Sequence, residues 1–121
     1  PETTPTPSPT PQPKVSVEGW VSWYGMGERE CLGCREDRIM ANGERLDDRA
    51  LTAACDVQTT CKLFPLGSRV RIVNQENMMT VEAVITDTGG FSKYGRVLDV
   101  TKAVRDRLNA EGNFYAYVER I

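Results

Sequence analysis

Two stretches of strict alternation constrain this chain more than anything else in it. Ser68 to Asn74, SRVRIVN, and Met79 to Asp87, MTVEAVITD, each carry an apolar side chain at every second position. That is the pattern of a strand with one wet face and one buried face. NQEN, where the two meet, reads as a hairpin turn. Gly19 to Gly25, GWVSWYG, Val97 to Val100, and Phe114 to Ile121, FYAYVERI, read as three further strands. Thr101 is placed to cap a short helix that carries Val104 and Leu108 on one face and stops at Gly112. Residues 26–43, with charges, two cysteines and an Asn42-Gly43 pair, form a long excursion that returns through a tight turn. Six or so short strands with one small helix predict a compact, mainly β barrel, and no internal repeat suggests a solenoid or propeller.

Composition limits what the barrel can be. At 121 residues, 40% apolar and 26% charged, the chain has material for one modest core. The first thirteen residues, PETTPTPSPTPQP, hold six of the seven prolines and nothing that could form a core. Residues 1–17 are therefore expected to be an extended, disordered spacer, and residues 18–121 the folded domain. With a net charge of -2 and no basic block, nothing marks a nucleic-acid or anionic-membrane surface. No apolar run is long enough to span a bilayer, and no leader-like segment is present, so a leader or lipid anchor would lie upstream or have been removed. A monomer is expected.

Cys31, Cys34, Cys55 and Cys61 are the four cysteines, and the chain has no histidine. An even count in a small domain behind a Pro/Thr spacer favours two disulfides and an oxidising, secreted or envelope setting. The competing reading is a zinc site. C-x2-C followed by C-x5-C supplies four thiolates, but the second half is longer than the usual knuckle. Three pairings are open. Cross-pairing of the 31/34 and 55/61 pairs would staple the excursion to the barrel and constrain the unfolded chain most. A nucleophilic Cys55 is disfavoured, since no histidine can activate it and Cys61 lies six residues on.

The order of short motifs carries a resemblance. G-W-V-S-W-Y-G, A-N-G-E, L-T-A-A, P-L-G-S-x-V-R-I-x-N, I-T-D-T-G-G-F and R-V-L-D-V-T, in that sequence from Gly19 onward, resemble the rare lipoprotein A (RlpA) family of double-psi β-barrels. The resemblance implies a six-stranded double-psi barrel with one or two short helices. It also implies a lytic transglycosylase acting on peptidoglycan glycan strands in cell-wall remodelling. More distantly the chain is similar to expansins and barwin-like proteins, some of which bind glycan without cutting it. The family's catalytic pair falls on Glu44 and Asp87, and Asp99 matches the acid that expansin-like barrels use. Two positions depart from the family. Cys55 stands where it has a histidine, and Asp87-Thr88-Gly89-Gly90 stands where it commonly has D-R-G-P.

Glycosidic cleavage explains why acids are wanted at those places. A carboxyl group with a raised pKa can protonate the leaving oxygen while positive charge develops on the sugar. In a lytic transglycosylase the sugar's own 6-hydroxyl replaces water and closes a 1,6-anhydro ring. Asp87 is the expected acid/base, since an apolar strand delivers it to a glycine turn; the bland alternative is a carboxylate merely binding the amides around Thr88. Asp99 is expected to orient substrate or Asp87, or else to serve the first turn of the helix. Ser22, Tyr24, Thr86, Gly89, Gly90, Phe91 and Tyr94 are the expected substrate contacts. Trp20 and Trp23, at odd spacing, should face opposite sides, one of them to the core. No metal or cofactor is expected. The readings that compete with cleavage are a glycan-binding module and, behind it, a secreted barrel that inhibits a protein partner.

Overall fold

The computed structural model describes residues 15–27, 30–31 and 34–121. Six strands, β1 (Ser16–Tyr24), β2 (Thr52–Asp56), β3 (Arg69–Asn74), β4 (Thr80–Gly89), β5 (Arg96–Thr101) and β6 (Phe114–Arg120), close into a barrel in the order β1-β5-β2-β4-β3-β6. β1 runs parallel to β5 and β2 parallel to β4, while the other neighbouring pairs are antiparallel. Two parallel seams in a closed six-stranded barrel make the double-psi arrangement that the motif order implied. Two short helices, α1 (Thr60–Leu63) and α2 (Lys102–Arg107), and a 3-10 turn at Ser92–Tyr94 complete the elements. No helix among the described residues is long and apolar enough to cross a membrane.

Alternation dictates which face fills the barrel. Val70 and Ile72 of β3, Ala83 and Ile85 of β4, and Ala116 and Val118 of β6 are buried in one cluster with Val21, Leu98, Val100 and Phe114. Each large member contributes about 1.5–3 kcal/mol relative to an exposed position. The hairpin between β3 and β4 is tied by asparagines, as its NQEN sequence requires. Asn74 Oδ1 accepts the Glu76 amide at 3.0 Å and Asn77 Oδ1 the Met79 amide at 2.9 Å. α2 turns Val104 inward, and Leu108 just beyond it is equally buried.

Several local expectations need correcting. Of the spacer expected over residues 1–17, positions 1–14 lie outside the described residues, and Ser16 and Val17 already pair with Glu119 and Val118 in β1. Thr101 occupies the cap position of α2 but makes no side-chain cap bond; its hydroxyl donates to the Ala50 carbonyl at 2.7 Å, joining β5 to the segment that leads into β2. Of the three cysteine pairings left open, the structure has the local one, Cys31–Cys34 and Cys55–Cys61, with Cα separations of 5.5 and 4.9 Å, so neither disulfide staples the excursion to the barrel. Hydrogen bonds and packing do that instead. The Asn42 amide donates to the Thr86 carbonyl at 3.1 Å, and Met40 and Leu46 bury themselves against Tyr24, Ala54 and Phe91 on the outside of the barrel wall. Cys55 faces the core, fully buried, away from the outer face where the excursion lies.

Candidate active site

A single extra residue in β4 decides where Asp87 points. Counted with period two, Asp87 follows Val81, Ala83 and Ile85 into the core. In the β2–β4 ladder, however, Ala53 pairs with Ile85 and Ala54 with Asp87, so Thr86 is an inserted bulge residue. Bulges re-aim the side chains that follow them, and this one turns Asp87 onto the outer face. Ala54 pairs on its other side with Asp99, and Asp99 pairs with Ser22. Ser22, Asp99, Ala54 and Asp87 therefore form one row across β1, β5, β2 and β4. The two acids flank an alanine, their backbones two strand spacings apart, roughly 9–10 Å.

The two acids sit in different surroundings. Asp99 Oδ1 accepts the Ser22 hydroxyl at 3.0 Å. Burial pushes its carboxyl up to about 6; the Ser22 bond and the Arg96 charge oppose that shift, and the Asp87 charge adds to it. Asp87 is half-buried, and its Oδ1 accepts two backbone amides, those of Ala41 and Thr88, both at 2.9 Å. It is thus locked between the excursion and its own turn, yet not sealed off. Tyr24 reaches the same place with its hydroxyl buried and without a hydrogen-bond partner. Burial, then the charges of Asp87 and Asp99, raise that phenol above its ordinary range. A carboxyl able to donate a proton, a fixed carboxylate and an unpaired hydroxyl together are the parts of acid/base chemistry on a hydroxylated substrate.

These groups open into a cleft of about 1170 Å³ between the barrel wall and the excursion. Tyr24, Asp87, Gly89, Gly90, Phe91, Tyr94 and Asp99 all line it. Ser22 is buried behind Asp99. Thr86 and Glu44 are not brought to the lining. Thr86 is buried with its hydroxyl on the Met40 sulfur at 3.3 Å, and Glu44 is exposed on the excursion, where its backbone, not its carboxylate, makes the bonds to Met40 and Asn42. Of the tryptophans, Trp20 is the cleft residue and Trp23 packs on the core, under Arg105 at 4.1 Å from its ring centroid. No group of three or more His, Cys, Asp or Glu among the described residues is arranged to hold a metal.

Sequence reasoning missed three contributors. Arg96 lines the cleft because Val97 is a second bulge residue: Trp20 pairs with Arg96, but Val21 pairs with Leu98. Ala54 is the small floor between the acids, visible in sequence only as part of a motif. Asp56, fully buried at the end of β2, receives the amides of Phe91 and Ser92, both at 2.8 Å, and those of Gln58 and Thr59 at 3.0 Å. Burial works to raise its pKa, but these bonds and the Thr59 hydroxyl prevail and hold it at about 2. It fixes the turn after Gly90, and nothing in the local sequence distinguishes it from an ordinary charge.

No protein-family model matches the chain. It is 39% identical over 83 residues to the "Probable endolytic peptidoglycan transglycosylase RlpA" of Synechocystis sp., an alignment that covers 69% of this chain and 22% of that protein. It is 33% identical over 105 residues to the endolytic peptidoglycan transglycosylase RlpA of Neisseria meningitidis, covering 85% of this chain and 38% of that one. The chain thus spans well under half the length of these curated relatives. Among solved structures, an expansin of Clavibacter michiganensis matches with a TM-score of 0.59 at 15% identity, over 88% of this chain and 50% of that one. At that identity the likeness is one of fold.

Proposed function

The chain belongs to the RlpA-like family of double-psi β-barrels, and from that premise we propose that it cleaves the glycan strands of peptidoglycan as a lytic transglycosylase. The observation that carries this reading is the row Ser22–Asp99–Ala54–Asp87, which sets two carboxyl groups on either side of a small floor in an open cleft.

Their surroundings divide the work differently from the sequence expectation, which gave the acid/base role to Asp87. Asp99, with its raised pKa, gives its proton to the glycosidic oxygen as the bond from that oxygen to the anomeric carbon breaks. The sugar's 6-hydroxyl oxygen bonds to the anomeric carbon. Its proton passes to the Asp99 carboxylate, so the enzyme returns to its starting state and no water is consumed. Asp87, held by the Ala41 and Thr88 amides, places negative charge beside the positive charge that develops on the sugar. The Tyr24 hydroxyl takes a substrate oxygen as its missing partner. Glu44, exposed and off the lining, is assigned no step in this scheme. An extracytoplasmic place of action follows from the substrate and fits the two disulfides.

The test is incubation with isolated glycan strands and mass spectrometry for 1,6-anhydro ends. Products should form with the native chain, vanish with Asp99→Asn, and fall at least tenfold with Asp87→Asn. A second reading, a glycan-binding barrel without cleavage, is favoured by the expansin-like fold and by Cys55, which replaces the family histidine and faces the core. Sedimentation with intact sacculi without anhydro products would establish that reading against the first.

A further inference from the structure

The cleft continues past the carboxylate row to Trp20 of β1 and Arg96 of β5. Trp20 is paired with Arg96 on one side and, on the other, with Tyr115 of β6. Trp20 is 46% exposed and edge-on to Tyr115, with ring centroids 5.6 Å apart. The Arg96 guanidinium lies 5.2 Å from the Tyr94 ring centroid, and the Lys93 ammonium lies 5.1 Å from the same centroid. Neither cation forms a salt bridge among the described residues, and Arg96 Nε is buried without a hydrogen-bond partner.

Charge is distributed against the trend of the molecule. The whole chain carries -2, yet the cleft is lined by Arg35, Arg38, Lys93 and Arg96 against Asp87 and Asp99 alone. Arg35 and Arg38 are occupied within the excursion, by Asp37 and by the Cys31 and Gly27 carbonyls. Arg96 and Lys93 are the two left facing the cleft beside an open indole. An exposed tryptophan next to a guanidinium that has a partnerless Nε and no ion pair among the described residues is what a site for a flat, apolar-faced and anionic ligand requires.

Resting on the glycan reading above, we propose that Trp20, Arg96 and Lys93 form a subsite for a pyranose that bears a carboxylate. The sugar ring stacks on the Trp20 indole, and the carboxylate is held by Arg96, with Lys93 adding long-range attraction. Asp99 lies three residues along β5 from Arg96, so a ring in this subsite sits within one or two sugars of the bond to be cut. In peptidoglycan the carboxylate belongs either to a free lactyl group or to a stem peptide.

The experiment measures binding apart from cleavage, using the full chain carrying Asp99→Asn. Three probes of equal length are compared by titration calorimetry: glycan strands with free lactyl carboxylates, the same strands with those groups amidated, and strands that retain stem peptides. At least one acidic probe should bind roughly tenfold more tightly than the amidated one, the yield of one charge-assisted contact. The acidic probe that shows the gain identifies its source. The gain should shrink with added salt, drop with Lys93→Met, which changes only an exposed side chain, and disappear with Arg96→Met. Trp20→Ala should weaken acidic and amidated strands alike. Equal affinity for all three probes, or a preference that survives both cation variants, overturns the subsite and leaves the glycan reading intact. Failure of every strand to bind overturns both.

Discussion

At the scale of single residues, the structure separates acids by what surrounds them, not by where they fall in a motif. Asp99 has its carboxyl held up at about 6, first by burial, while its unfolded value is the ordinary 3.8. The sign follows. A raised folded pKa means the folded state binds protons more readily, so this group's contribution is most favourable below about pH 4 and is lost as pH rises through 6. A two-unit shift corresponds to about 3 kcal/mol, which partial exposure reduces to about 1–2. Asp99→Asn should therefore raise the melting temperature by several degrees at pH 7 and leave it nearly unchanged at pH 3, while abolishing cleavage. In the native chain the protonated fraction declines tenfold per unit above pH 6, and kcat/KM for glycan strands should decline with it. A melting temperature lowered by Asp99→Asn at pH 7, or a rate that climbs from pH 6 to 8, contradicts this account.

At the scale of elements, the cleft depends on two clamps that hold the glycine turn after β4. One is the excursion, whose Ala41 and Asn42 amides bind Asp87 and Thr86. The other is Asp56, which collects the Phe91 and Ser92 amides. Removing its carboxylate leaves buried donors unmatched, so Asp56→Ala should destabilise by about 3 kcal/mol and release the turn. Hydrogen exchange at the Phe91 and Ser92 amides reads this directly; protection unchanged in the variant would show that the turn stands without Asp56. With a folded pKa of about 2, this contribution is present above pH 4 and fades as pH falls toward 2.

The strands themselves were legible, because β3, β4 and β6 alternate cleanly. β2 was legible only as a motif, since four of its five residues are buried and no alternation survives. The bulges at Thr86 and Val97 escaped a period-two count, because an inserted residue is a property of the ladder between two strands and not of either strand alone. Glu44 was placed by motif match, but the chain carries it on the excursion, clear of the lining. Asp56 escaped because two of its donors, the Phe91 and Ser92 amides, come from a turn about 35 residues away, while its local bonds to Gln58 and Thr59 mark no more than an ordinary turn.

At the scale of the molecule, β1 is the strand on which both closure and function converge. It pairs with β6 on one side and β5 on the other, so the barrel cannot stay closed without it. Its seam with β5 also sets Ser22 beside Asp99 and Trp20 beside Arg96. Gly19 lies where that seam bulges, and a Cβ built there would run into the Val97 side chain. Val97 is β-branched and packed against the core, so its side chain has little rotamer freedom to withdraw. Gly19→Ala should therefore displace the bulge and cost about 1–3 kcal/mol of overpacking strain. Because the bulge is what turns Arg96 outward, the same variant should lose the preference for acidic strands at temperatures where it remains folded. The pair Gly19→Ala with Val97→Ala restores the space and should recover most of the stability, with a coupling energy well above the about 0.3–0.5 kcal/mol scatter of independent sites. Thermal unfolding of the two single variants and the double variant measures that coupling. Strict additivity would mean that Gly19 is needed for backbone freedom alone, and that the seam tolerates its bulge without this contact.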